Sequence, residues 1–243
     1  MPEFIPAGIL KKNFDILGHF YSVCLKSGER IDCRSVLEIV RKKNSPSERD
    51  AILRQFPDAI FIMMNPGSSI PLEEVNNAIP EEKISLLGTS LVPTRPDTTQ
   101  YQVMRMMHFC DWDHVRVLNI SDMRDPKSGK FIERYKNVEE VTGFKAHSIF
   151  SDERSNELEN RLKKRPKAPI VCAWGVSPDL EPLIQRCLVK LSEMDGSPDL
   201  TGLLKPGTDN KYFHPLPTLQ KGKVKWVNDM LGKLKGTMTM ASC

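Results

Sequence analysis

Asp58-Ala59-Ile60-Phe61-Ile62-Met63-Met64-Asn65-Pro66-Gly67-Ser68-Ser69 is the stretch that decides the fold. Its apolar run is unbroken rather than alternating. That predicts a strand buried on both faces, as in a parallel sheet. The run stops at Asn-Pro-Gly-Ser-Ser, where Pro fixes one backbone angle and removes a donor while Gly frees the next position. A sharp turn at the C-terminal end of a buried strand is where open α/β sheets place their ligands.

Outward from this strand the pattern repeats. His114 to Ile120 reads as a second buried strand, Pro169 to Trp174 as a third ending in Gly175, and Leu200 to Leu204 as a short fourth. Between them lie predicted helices at Thr99–Phe109, Ser151–Lys164, Asp179–Met194 and Lys223–Leu234, the first capped by Asp97 or Thr98. Its Tyr101, Val103, Met104 and Met107 are expected in the core. Towards the N-terminus, residues 1–12 read as an irregular arm. Phe14–Leu25 and Arg30–Cys33 form a hairpin about Lys26-Ser27-Gly28-Glu29, and Ser35–Lys43 reads as a short helix. The stretch Ile70–Pro96 holds four prolines and reads as a lid, a binding loop or a partly helical connection. Residues 236–243 are expected to be a disordered tail.

Strands alternating with helices imply a three-layer α/β/α sandwich. Its central, mainly parallel sheet should have four strands, with an N-terminal β-hairpin added. The expected organisation is one domain over residues 1–235, of which 1–45 form an N-terminal extension.

Composition sets the class. The chain has 243 residues, 40% hydrophobic and 27% charged, which suits a soluble globular protein. No apolar run reaches the roughly 18 residues of a membrane span, and the first residues lack the form of a secretion signal. The six cysteines are scattered without a Cys-x-x-Cys pair, so reduced thiols, a cytoplasmic location and no membrane partner are expected. The net charge is +4, and Lys205–Lys225 holds five lysines against one acid. That favours an anionic partner: nucleic acid, DNA before RNA, or a nucleotide. A monomer is expected.

Several motifs bear on chemistry. Neither Gly-rich phosphate fingerprint is present. Asn65-Pro66-Gly67-Ser68-Ser69 offers backbone N–H groups and hydroxyls to an anion or a base edge, or equally a plain Asn-Pro turn. His214, restrained by Phe213 and Pro215, can donate to a developing anion, or equally serve as a loop residue. His108-Phe109-Cys110-Asp111-Trp112-Asp113-His114 is dense in metal-ligand types but matches no standard zinc spacing, so no metal and no cofactor is assigned. Because parallel strands share one C-terminal edge, Asn65, Asn119, Trp174-Gly175 and the His214 loop should line one crevice.

Together the motifs resemble a bacterial and phage family of unknown function. They are Met64-Asn65-Pro66-Gly67-Ser68-Ser69, Asp97-Thr98-Thr99, Val117-Leu118-Asn119 with Arg124, Asp152-Glu153 to Leu162, Ala173-Trp174-Gly175, Lys205-Pro206-Gly207 and His214-Pro215-Leu216, and they span about Ala59 to Pro217. That family carries a Leu-Asn-Pro-Ser-Thr-Ala-Asp turn, a Trp-Gly strand end and a His-Pro-Leu loop. Here Gly67-Ser68-Ser69-Ile70 replaces Ser-Thr-Ala-Asp, so the acid of that turn is missing. The layout is also similar to the uracil-DNA glycosylase superfamily, whose mismatch-specific branch has a Gly-Ile-Asn-Pro-Gly type of turn and a late His-Pro-Ser-Pro loop. That resemblance implies a nucleobase-recognising hydrolase. Asn65 would position the attacking water and His214 would stabilise the departing base. Lys205 and Lys211 would hold backbone phosphate, and Trp174, Tyr212 and Phe213 would supply aromatic surface. The alternative is a non-catalytic nucleotide- or nucleic-acid-binding module in DNA modification or phage–host conflict.

Overall fold

The computed structural model describes residues 3–194 and 198–240, the side chains of 237–240 excepted. In chain order the strands are β1 (Phe14–Cys24), β2 (Arg30–Arg41), β3 (Ala59–Met63), β4 (Ile70–Pro71), β5 (Ala78–Pro80), β6 (Val92–Arg95), β7 (His114–Asn119), β8 (Ile170–Ala173) and β9 (Leu200–Thr201). The helices are α1 (Ala7–Asn13), α2 (Thr98–Cys110), α3 (Ser128–Thr142), α4 (Ser155–Leu162), α5 (Glu181–Ser192) and α6 (Gln220–Met240).

One nine-stranded sheet runs in the order β4-β6-β1-β2-β7-β3-β8-β9, with β5 on β1. The four strands expected from the sequence are its parallel half: β7, β3, β8 and β9. The sheet is therefore larger than the four strands expected, and mixed rather than mainly parallel, because the hairpin joins it antiparallel. β2 pairs antiparallel with β7, and β1 follows β2 antiparallel. The opening stretch explains why β3 sits in the middle. Its alternate residues serve two cores, with Ile60 and Ile62 on one face and Ala59, Phe61 and Met63 on the other. The first core packs α3, α4 and α5 through Phe131, Leu158 and Leu183. The second packs α1, α2 and α6 through Leu10, Met104 and Met230. The mixed α/β, three-layer arrangement follows from these two faces, and the Met stripe of α2 is core.

Other expectations are corrected. Ser35–Lys43 is no helix: it continues β2 to Arg41, followed by a short 3-10 turn. Val36 and Val40 face one core while Leu37 and Ile39 face the other, the period of two that a strand requires. β-branched side chains buried on both faces outweighed the helix-like spacing. The N-terminal arm contains α1. Ile70–Pro96 forms three short strands and a 3-10 turn along the β1 edge, so it protects a sheet edge. The closing helix continues through 236–240, where a disordered tail was expected, while 241–243 lie outside the described residues. α3 had no counterpart in the sequence reading. Its buried stripe is only Phe131, Tyr135 and Val138 on an otherwise polar helix. No helix among the described residues is long and apolar enough to cross a membrane.

The connections set the site. β3 leads to α2 on one face, whereas β7 and β8 lead to α3 and α5 on the other. The chain thus departs in opposite directions from neighbouring strands, and a crevice opens over the end of β3.

Candidate functional site

A cavity of about 510 Å³ occupies that crevice. This lies within the range of small-molecule sites, about 300–1,000 Å³. Its wall includes Met64, Asn65, Pro66, Gly67 and Ser68 from the turn after β3, and Asp97 and Gln100 from the start of α2. Ser128 and Ile132 of α3, Trp174 and Gly175 after β8, and His214 and Leu216 from the late loop also line it. The two turns expected to converge therefore meet.

Asn65 is half-buried. Its amide donates to the carbonyls of Asp125 at 2.8 Å and Met123 at 3.3 Å. Both amide protons brace the loop after β7, which leaves the carbonyl oxygen to face a ligand. That loop is itself braced from below. Asp122 accepts from Arg154 at 2.5 Å and from Tyr21 at 2.8 Å, and Ser121 bonds His147 at 2.9 Å. Burial pushes the Asp122 carboxyl up to about 6, against the pull of Arg154.

His214 is held by its own loop. The Leu216 N–H donates to Nδ1 at 3.2 Å, so the neutral ring carries its proton on Nε2. Burial pushes its pKa down to about 4, which keeps the ring neutral at physiological pH. The loop is pinned to α2 by Gln102, which donates to the Pro215 carbonyl at 2.9 Å. On the α6 side Trp226 donates to the Phe213 carbonyl at 3.0 Å. His214 thus presents one fixed N–H donor.

Trp174 is fully buried and donates to the Asn210 carbonyl at 2.8 Å. With Ile132 and Leu180 it gives the cavity an apolar side.

The other residues expected to bind substrate lie elsewhere. Ser69 and Asn119 are buried without lining the cavity, and Phe213 is 41% exposed. Lys205 is exposed outside it. Lys211 forms an ion pair with Glu181, and Lys225 pairs with Asp229. Part of the basic window is therefore neutralised by neighbours that a linear charge count does not reveal. The His108–His114 cluster is also spent locally: His114 bonds Glu38 at 2.7 Å and Asp113 bonds Arg41 at 2.7 Å. Among the described residues no group of three or more His, Cys, Asp or Glu could hold a metal ion.

Two site residues escaped the sequence reading. The sequence marks Asp97 only as a helix cap, which it is: Oδ1 accepts from Thr99 N at 2.9 Å and Gln100 N at 3.1 Å, and Gln100 returns a capping-box bond. Its other oxygen lies against the first turn, 2.9 Å from where a Cβ on Gly67 would sit. A carboxylate from α2 thus stands beside a turn that has none of its own. Arg34 also lines the cavity although it is only 2% exposed. It sits where β2 has parted from β7, beyond the last ladder pair Leu37–Val117, and next to a bulge in the β1 pairing. There its Nη2 donates to Asn119 Oδ1 at 3.1 Å. In the sequence Arg34 stands among polar and charged neighbours, Asp32, Ser35 and Glu38, so nothing in the linear pattern marks it as buried.

No protein-family model, no curated protein and no solved structure matches the chain.

Proposed function

We propose that the chain binds a nucleobase in this cavity and hydrolyses its N-glycosidic bond, as a DNA glycosylase-like enzyme of the uracil-DNA glycosylase type. One observation carries the reading: Asn65 and His214, far apart in sequence, line a single cavity beside Trp174. A base drawn out of a DNA strand lies against the apolar side formed by Trp174, Ile132 and Leu180. His214 Nε2–H donates to a base oxygen and stabilises the charge that grows there as the bond to the sugar breaks. The attacking water donates to Asn65 Oδ1 and to Asp97, which takes its proton. The water oxygen bonds to the sugar carbon, and the bonding pair leaves with the base, which then acquires a proton. In this reading Asp97 supplies the acid that the first turn lacks.

A second reading, a binding module without hydrolysis, draws on Asn65. Both its amide protons are committed to backbone carbonyls, as befits a strut. The test is chromatographic release of free base from single-stranded and duplex oligonucleotides carrying uracil or other altered bases. Wild-type protein should release a base, and Asp97→Asn should slow release by about 10²-fold or more. Nucleoside binding without any release selects the module. Unchanged rates in both Asn65→Ala and His214→Ala defeat the assigned roles.

A further inference from the structure

The inner wall of the cavity holds a group that the hydrolytic scheme does not use. Arg34 is 2% exposed and lines the cavity, and its Nε and Nη1 atoms have no hydrogen-bond partner among the described residues. Among the described residues its side chain bonds only a neutral oxygen, that of Asn119. No carboxylate pairs with it among the described residues; Asp97 and Asp122 act only from beyond ion-pair distance. The Nδ2 of that same Asn119 is also buried without a partner among the described residues. A guanidinium removed from water with two N–H sites idle is costly to keep unless something returns the lost interactions. Burial lowers its pKa to about 10 despite the two acids, so it remains charged at neutral pH. An uncharged hydrogen-bond acceptor would return only part of the loss, whereas an oxyanion returns both charge and acceptors.

We propose that Arg34 is the anion subsite of this cavity, and that the base the cavity holds belongs to a free nucleotide rather than to a DNA strand, with the terminal phosphate docked on Nε and Nη1. The base position rests on the nucleobase reading above; the phosphate position rests on Arg34 alone. An internal phosphodiester in a strand cannot carry its oxygens to a side chain enclosed at the inner wall, whereas a terminal phosphate enters with its own nucleotide. The cavity, at about 510 Å³, accommodates both parts. Asp97 stands against the Gly67 turn, which disfavours a phosphate on that side of the cavity.

Isothermal titration with inorganic phosphate, the four common ribonucleosides with uridine among them, their 5′-monophosphates and a single-stranded oligonucleotide separates the possibilities. For the base that binds, the monophosphate should bind at least about tenfold more tightly than the nucleoside, the value of a charge-assisted contact. Arg34→Gln should abolish that preference, and Arg34→Lys should retain part of it. Equal affinity for nucleoside and monophosphate in the wild type, or an undiminished preference in Arg34→Gln, overturns the phosphate subsite and leaves the nucleobase reading intact. Phosphate and monophosphates that bind through Arg34 irrespective of the base, unaffected by His214→Ala, overturn the nucleobase reading and leave the subsite. No binding by any probe overturns both. Folding of the variants is checked by urea denaturation, and the wild-type comparison of nucleoside with monophosphate stands without them.

Discussion

Replacing Gly67 by alanine tests the contact on which the Asp97 role depends. Gly67 has a φ of +65°, so any side chain there costs about 1 kcal/mol from left-handed backbone alone. The new Cβ would also meet Asp97 Oδ2 at 2.9 Å, closer than carbon and oxygen tolerate. That carboxylate has little room to yield, because its other oxygen is fixed by Thr99 N and Gln100 N. Displacing it loosens the α2 cap, worth about 1 kcal/mol. Gly67→Ala should therefore lower stability by about 2 kcal/mol, the sum of the two effects. In an Asp97→Ala background the clash is gone, and the same change should cost about 1 kcal/mol. Urea denaturation of the four proteins gives a coupling near 1 kcal/mol, well above the roughly 0.3–0.5 kcal/mol scatter of independent sites. If the two substitutions add within that scatter, Asp97 is not held against the turn, and its part in the chemistry falls with the contact.

Other outcomes follow from single features of the site. Arg34→Met, which removes an unpaired buried charge at similar length, should raise the urea midpoint of the unliganded protein; a lower midpoint would mean that the charge is compensated after all. His19 accepts from Asn77 at 2.9 Å and lies 2.7 Å from the Ser35 hydroxyl, and burial lowers its pKa from 6.5 to about 3. Between those values the unfolded chain binds the extra proton, so His19 makes stability fall as pH drops from about 6.5 towards 3. Asp122, raised to about 6, contributes the opposite slope above about 4, so the His19 share is read as the difference between wild type and His19→Gln across pH 7 to 4. A pH-independent difference would contradict a buried neutral ring. Lys211→Ala should change nucleotide affinity less than about twofold, since the amine is engaged by Glu181 and lies outside the cavity; a loss of tenfold or more would restore the lysine loop as a phosphate contact.

How much was legible depended on whether a residue's local pattern agreed with its place in the fold. The β3 run is apolar at every position because both its faces are covered, so its central place could be read directly. The turn after it and the His214 loop carry Pro next to the polar group, and such punctuation marks a fixed backbone wherever the fold puts it. Ser35–Lys43 misled because Val36, Leu37, Ile39 and Val40 satisfy a helical spacing and a strand spacing at once, and only the pairing with β7 decides between them. α3 was invisible for the converse reason: a helix covering the rim of a large sheet needs only a narrow apolar stripe.

Arg34 and Asp97 show why the catalytic and binding character of the cavity was harder to read than its position. A cap residue is recognised by one oxygen on a helix start, and nothing in the linear pattern says where the other oxygen points; that depends on Gly67, brought alongside by the turn after β3. A buried arginine is rarer, and its cost is visible only once its surroundings are known. In the sequence Arg34 stands beside Cys33 and Ser35 and looks like the edge of a surface element. In the fold it is enclosed, with Nε and Nη1 idle. The stability such a residue sacrifices is the measurable trace of a ligand, so comparing the unliganded stability of Arg34→Met with its loss of nucleotide affinity weighs the same interaction from both sides. A variant more stable and less able to bind supports a built site; one that is less stable and binds equally well makes Arg34 a strut of the β2–β7 junction.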